Sequence, residues 1–141
     1  MNEELDQIEK THTQELVLRP HDKNIIGTKW VFKKKLNENG EVIRNKTRLA
    51  CKGYAQQEGI DFEETFSPVE ILEATIMFLS FSIFHHFKVY QMVVKSEFLN
   101  GNLEEEVSIE QHEGFIIGNY DKLIFKLKKA LYGLKQTPRA W

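Results

Sequence analysis

Basic side chains concentrate in one stretch of the sequence, where they could bind phosphate groups. Eight Lys or Arg residues lie between Lys29 and Tyr54, against two acids, Glu38 and Glu41. Arg and Lys both donate charged hydrogen bonds to phosphate oxygens. All charges from Lys122 onward are basic as well. A fold that brings the two basic segments together would present a phosphate-binding face, and a mixed, solvated surface is the alternative.

The other reactive side chains favour neither metal nor nucleophile chemistry. His85 and His86 are adjacent, whereas two metal ligands on one helix face are three or four residues apart. Cys51 is the single cysteine, which excludes an internal disulfide and a cysteine zinc site. Glu63 and Glu64 could suggest paired catalytic carboxylates, but adjacent loop carboxylates are usually solvated surface.

Composition favours a folded intracellular chain. With 141 residues, 41% of them hydrophobic and 28% charged, the sequence predicts one domain or part of one. The longest apolar stretch, Ala74–Phe84, is shorter than the roughly 20 residues that span a membrane. The acidic N-terminus lacks the apolar segment of a secretory signal. These features predict a cytoplasmic or nuclear protein with no membrane partner.

A mixed α+β fold must position these side chains. Alternating β-rich residues predict a strand over Ile25–Leu36, and Asn37–Gly40 is typical of a tight turn because Asn-Gly tolerates positive φ. Glu41–Tyr54 is the expected return strand, which completes a basic β-hairpin. Residues 1–24 form a lead-in segment, with a short helix predicted at Glu3–Lys10.

The second half of the sequence predicts one helix and several short strands. Val69–His86 follows a loop at Gly59–Pro68 and has the length and apolar density of a mostly buried helix. Strands are expected at Val89–Val94, Glu106–Glu110 and Leu123–Leu127, and a last helix should begin near Pro138. This order of elements is typical of the α+β class.

Four long motifs and one partial motif carry a resemblance to a known family. They are Ile26–Phe32, Asn45–Leu49 continuing through Lys52–Gln56, Gly59–Val69, Lys128–Trp141 and, with two departures, Tyr90–Gly101. In this order they resemble the reverse transcriptase of copia-type retrotransposons, a domain of the Pol polyprotein. The resemblance places that domain at residues 25–141, truncated before its second catalytic motif.

The resemblance implies part of a right-hand polymerase, namely the fingers and part of the palm. Such enzymes extend a DNA primer on an RNA or DNA template, so primer-template and deoxynucleoside triphosphates are the partners of the intact family. Two Mg²⁺ ions, held by aspartates, activate the primer 3′-oxygen and stabilise the leaving pyrophosphate.

The resemblance also implies nucleotide-binding roles at four positions. Lys46 and Arg48 would meet the triphosphate, Phe98 would pack against the sugar, and Gln136 would lie near the nucleotide. Read without the family, the two cations are exposed charge, Phe98 is a core residue and Gln136 is a solvent-facing loop residue. Tyr132, Pro138 and Trp141 are interpreted as packing residues.

The metal site of the family is not preserved. Val93 stands where the family carries its first metal-binding aspartate, and valine offers no oxygen ligand. The second motif, two adjacent aspartates, falls beyond Trp141, and no Asp-Asp pair occurs in the chain. Glu97 replaces a small residue; on an extended strand it would share the face of Val93 but lie about 13 Å away. We therefore expect no catalytic carboxylate, metal or other cofactor in this fragment.

Other departures from the family are milder. Ile71 and Ile76 stand where the family usually has arginine, which makes a half-solvated helix face apolar. Gln14 replaces a usual tryptophan, and His112-Glu113 replaces a proline-rich dipeptide. Scattered changes of this kind suggest drift in an element no longer selected for polymerisation.

Three hypotheses for function follow. The first is a degenerate fragment of a retrotransposon reverse transcriptase without polymerase activity, in which binding of primer-template and nucleotide is weak or absent. The second is a non-catalytic nucleic-acid-binding module that uses the basic hairpin. The third is a fragment with no function of its own, because half a palm exposes sheet edges and core.

Overall fold

Helices and strands of both types occur in the computed structural model, which describes residues 1–67, 69–118 and 120–141. The helices are α1 (Asn2–Lys10), α2 (Leu72–Phe84) and α3 (Thr137–Ala140). The strands are β1 (Gln14–Leu18), β2 (Ile25–Ile26), β3 (Thr28–Leu36), β4 (Val42–Cys51), β5 (Ser108–Ile109) and β6 (Leu123–Leu127). This mixture confirms the predicted α+β class. Pro68, the end of the predicted Gly59–Pro68 loop, lies outside the described residues.

A four-stranded sheet with the order β1-β6-β5-β2 carries most of the core. Strand β6 pairs antiparallel with β1 and with β5, and β2 pairs parallel with β5. The predicted strand Leu123–Leu127 is confirmed, whereas Glu106–Glu110 is paired only at Ser108–Ile109. Among the described helices, none has the length and apolar composition needed to cross a membrane.

Strands β3 and β4 form a separate two-stranded ribbon. The predicted strand Ile25–Leu36 divides at Gly27, so that β2 joins the large sheet and β3 joins the ribbon. The Gly27 carbonyl accepts the Lys52 N–H at 2.8 Å, which holds the two ends of the ribbon together. At the far end, the Asn37 side-chain oxygen accepts two backbone N–H groups and Gly40 has φ +81°.

The core lies between the large sheet, the base of the ribbon and α1. Its fully buried side chains include Ile26, Leu49, Ile109 and Leu131. The predicted N-terminal helix is confirmed as α1, and its Ile8 is 1% exposed within this core. Strand β1 also falls within residues 1–24 and pairs with β6, while the boundary at residue 24 stays a prediction.

A polar contact links β1 to the segment between β5 and β6. The Nε2 atom of His112 lies 3.0 Å from the side-chain oxygen of Gln14. The His112 ring is 2% exposed and stacks on Phe125 with a centroid distance of 4.8 Å. Burial lowers the pKa of His112 to about 4, so the imidazole is neutral at physiological pH.

Helix α2 is exposed, and the predicted burial of this helix is wrong. Of its residues only Ser82 is buried, and none of the described elements packs extensively against it. It ends at Phe84, where His86 adopts φ +55° and the Phe87 N–H bonds to the Ser82 carbonyl. This is the closing pattern of a Schellman motif. A helix that is apolar on every side needs enclosure on every side, and the described residues supply none.

The segment after β6 crosses the end of β4 at very short range. Cys51 donates its backbone N–H to the Tyr132 carbonyl at 2.7 Å. Gly133 has φ +90°, and a Cβ there would overlap the carbonyl oxygen of Cys51. Gly53 faces the same crossing, where a Cβ would overlap the Gly133 carbonyl oxygen. Only glycine fits at either position.

We predict that Gly133→Ala destabilises the chain far more than Gly114→Ala. Gly114 also has positive φ, +82°, but a Cβ there meets nothing within 4 Å. The control should lose about 1 kcal/mol of unfolding free energy through backbone strain alone, and Gly133→Ala about 3 kcal/mol because of added overlap. Urea unfolding of the full chain measures both. Equal losses would contradict the close crossing.

We predict that Ile71→Arg/Ile76→Arg lowers aggregation of the chain. Ile71 is 61% exposed and Ile76 is 53% exposed on or beside α2, within a broad apolar surface. The matched control is Ile116→Arg/Ile117→Arg, which adds the same charge at side chains that are 54% and 55% exposed elsewhere. Light scattering is measured as a function of protein concentration. The scattered intensity should rise less steeply for Ile71→Arg/Ile76→Arg than for the control. An equal reduction of aggregation in the two double variants would mean that net charge alone is responsible.

Candidate nucleotide site

One face of the ribbon is strongly cationic. The register places Lys33 opposite Lys46 and Lys35 opposite Arg44, and Arg48 follows Lys46 by two residues. Directly opposed residues, and residues two apart on a strand, point to the same side. These five side chains are called the cationic face below. Repulsion from Arg48 is the main cause of the lowered pKa of Lys46.

Arg48 lies over one aromatic ring, and that ring contacts a second. Its guanidinium carbon lies 5.0 Å from the ring centroid of Tyr132, which is cation–π range. The Tyr132 ring in turn meets Phe98 edge to face at 5.4 Å. The structure thus brings two of the four predicted nucleotide residues, Arg48 and Phe98, into contact with the same ring, that of Tyr132. The backbone crossing at Cys51 holds Tyr132 in that position.

Two carboxylates surround this cluster. Glu4 of α1 is half-buried; burial raises its pKa, while the charges of Arg48 and Lys46 and the Leu49 N–H act in the opposite direction. Burial is also the main cause of the raised pKa of Tyr132, to which the negative charges of Glu4 and Glu97 add. The cluster therefore has acidic as well as basic charge around it.

Gln136 lies inside the protein. It is 1% exposed, so the alternative reading as a solvent-facing loop residue is wrong. Its side-chain oxygen accepts from Gln56 at 3.0 Å, and its side-chain nitrogen donates to the Asp61 carbonyl at 2.9 Å. The Gln56 oxygen also accepts the Lys135 N–H at 2.8 Å. Both ends of the Gln136 amide thus hold the segment after β4 against α3.

Val93 lies on a segment without regular structure. The predicted strand Val89–Val94 is absent, since no described strand pairs with it, and the Val93 side chain is 92% exposed. The proposed strand face shared by Val93 and Glu97 is also wrong, because Ser96 has φ +53° and Glu97 begins a 3₁₀ turn that ends at Asn100.

The residues at this position do not fit a magnesium ion. Mg²⁺ takes oxygen ligands in near-octahedral geometry, and the side chain of Val93 is a hydrocarbon. In the described part of the chain, no three His, Cys, Asp or Glu side chains gather as a metal could require.

Sequence reasoning missed two contributors to the site. Tyr132 was assigned to packing, and it does pack against the core, but its ring also joins Arg48 to Phe98. Glu4 was read only as part of a lead-in helix. The paired acids at the start of α1 were a signal, because a short acidic helix beside a basic hairpin favours contact between them.

Comparison with known proteins agrees with the motifs. Residues 11–141 match the family model described as reverse transcriptase (RNA-dependent DNA polymerase). Over 141 residues the chain is 43% identical to the retrovirus-related Pol polyprotein from transposon TNT 1-94 of Nicotiana tabacum, covering 100% of this chain and 11% of that protein. No solved structure matches the chain.

Two Arabidopsis thaliana proteins are also similar. The retrovirus-related Pol polyprotein from transposon RE1 is 42% identical over 131 residues, which cover 92% of this chain and 9% of that protein. An uncharacterised mitochondrial protein is 51% identical over 76 residues, which cover 54% of this chain and 44% of that protein. The chain spans about a tenth of the length of the two Pol polyproteins. The family inferred from the motifs is confirmed, and this chain belongs to the reverse transcriptase (RNA-dependent DNA polymerase) family.

Proposed function

We propose that this chain is a degenerate part of a retrotransposon reverse transcriptase that has lost polymerase activity. The observation that carries the proposal is Val93, which stands at the family's first metal-binding aspartate. Phosphoryl transfer of this type depends on metal ions that bring the two reacting oxygens together and neutralise the charge that develops on them. A hydrocarbon side chain at a ligand position supplies neither function.

The surroundings of Arg48 support the same proposal. Glu97 contributes negative charge beside Tyr132, close to Phe98, where the family binds its nucleotide. A carboxylate repels a triphosphate, and weak screening in a partly buried site strengthens the repulsion. We further propose that the ribbon corresponds to the family's fingers and the large sheet to part of its palm.

Primer extension tests the loss of activity. With poly(rA)/oligo(dT), deoxythymidine triphosphate and Mg²⁺ or Mn²⁺, the full chain should incorporate no more nucleotide than a reaction without protein. An active copia-type reverse transcriptase serves as the positive control in the same assay. Clear incorporation by this chain would overturn the proposal.

A chimera tests whether Val93, together with Glu97, causes the loss of activity. The matching segment of the active control enzyme is replaced by this chain, either unchanged or with Val93→Asp/Glu97→Ala. The unchanged chimera should be inactive, and the double substitution should restore measurable incorporation because a carboxylate returns and the repulsive charge is removed. Val93→Asn/Glu97→Ala is the matched control without a charged ligand. An unchanged chimera as active as its parent would contradict the assignment.

A second candidate function is non-catalytic binding of nucleic acid by the cationic face. The observation that favours it is that, among the described residues, Lys33, Lys35 and Lys46 have no ion pair within 4 Å. When such side chains bind the phosphates of a nucleic acid, they displace the condensed counterions. The release of these counterions drives sequence-independent binding.

We predict that Lys46→Ala/Arg48→Ala weakens binding of a fluorescein-labelled poly(rA)/oligo(dT) duplex about tenfold, and that the salt dependence becomes shallower by about two phosphate contacts. Fluorescence anisotropy at several KCl concentrations measures both quantities. Lys10→Ala/Lys122→Ala removes the same charge from exposed positions outside the ribbon. Equal weakening by this control would attribute binding to net charge and not to the cationic face.

A further inference from the structure

The first turn of α1 lies against the cationic face. A carboxylate oxygen of Glu3 is 3.4 Å from a guanidinium nitrogen of Arg44. The half-buried carboxylate of Glu4 interacts with the charges of Arg48 and Lys46. Two consecutive acids therefore oppose three of the five cations on that face.

The two ends of α1 are held differently. Near its C-terminal end, Ile8 is buried in the core, and the Thr11 side chain bonds to the Gln7 carbonyl at 2.9 Å before the chain enters β1. At the N-terminal end, Leu5 packs against the core, but Asn2 and Glu3 are exposed and no side chain caps the first turn. Helix ends fray when their first N–H groups lack partners, so the first turn can open while the rest of α1 stays packed.

Glu4 and Arg48 attract each other but form no ion pair within 4 Å. The Oε1 atom of Glu4 and the Nε atom of Arg48 are both buried without a hydrogen-bond partner. Burial of a polar atom without a partner is costly, and here the cost of burying Glu4 outweighs the attraction of the neighbouring cations. A phosphate oxygen would supply the acceptor that the Arg48 Nε atom lacks.

We propose that the first turn of α1 is an intramolecular acidic cover, formed by Glu3 and Glu4, that competes with nucleic acid phosphates for the cationic face. The proposal rests on the binding function proposed above for that face. When a duplex binds, the first turn opens and Arg44, Lys46 and Arg48 exchange carboxylate neighbours for phosphates. The cover lowers affinity and selects against weak or short polyanions.

The test compares two double variants that change net charge equally. Glu3→Gln/Glu4→Gln removes the cover, whereas Asp6→Asn/Glu9→Gln neutralises two exposed acids on the same helix that have no ion pair with the described residues. Anisotropy with the labelled poly(rA)/oligo(dT) duplex should give about tenfold tighter binding for the first variant, with a salt slope steeper by about two. The control should change little.

Each result has one meaning. No gain with Glu3→Gln/Glu4→Gln, or the same gain in the control, overturns the cover while leaving any wild-type binding intact. Binding that appears only when the cover is removed supports the cover and refutes binding by the unmodified chain. No binding by any variant at 50 mM KCl, about the low-salt end of such titrations, overturns both proposals.

Hydrogen exchange on the unmodified chain gives an independent readout that needs no variant. The amides of Glu4 and Leu5 bond to the Met1 carbonyl at 3.0 and 3.1 Å. Saturation with duplex should speed exchange at these two amides, because the first turn opens. Duplex binding with unchanged or slower exchange there would refute the cover.

Discussion

The backbone crossing between Gly133 and the end of β4 is the constraint on which the site depends. It brings the segment after β6 against Cys51 with no room for a side chain. This contact helps to hold the ribbon, which forms a separate two-stranded sheet, against the core, in which Leu49 and Cys51 of β4 are buried. The position of Tyr132 beside Arg48, and of Gln136 beside Gln56, follows from it.

Charge at the site is set by opposing effects. The cations of the ribbon repel one another, which favours any anion that approaches, and the acids Glu4 and Glu97 oppose that approach. Desolvation outweighs attraction at Glu4 because its carboxylate is half-buried but incompletely hydrogen-bonded. A cluster balanced in this way responds strongly to the removal of a single charge.

Elements defined by local pattern were predictable, and those defined by distant partners were not. Helical spacing identified α1, and β-rich alternation identified β6, because both patterns report on the residues themselves. The same reasoning predicted burial for α2 and a strand at Val89–Val94. Both depend on partners that the described residues do not supply. At the site, the cations were evident from sequence, whereas the burial of Gln136 required knowledge of which segments cross.

Burial of His112 couples the fold to proton uptake. In the unfolded chain this imidazole binds a proton near its ordinary pKa of 6.5, whereas in the folded chain it does so only near 4. Between these values unfolding therefore takes up one proton, and stability falls as pH falls, by about 3 kcal/mol in all. The neutral ring stacks on Phe125 of β6 and bonds to Gln14 of β1. The stability of the sheet around these strands therefore depends on acidity.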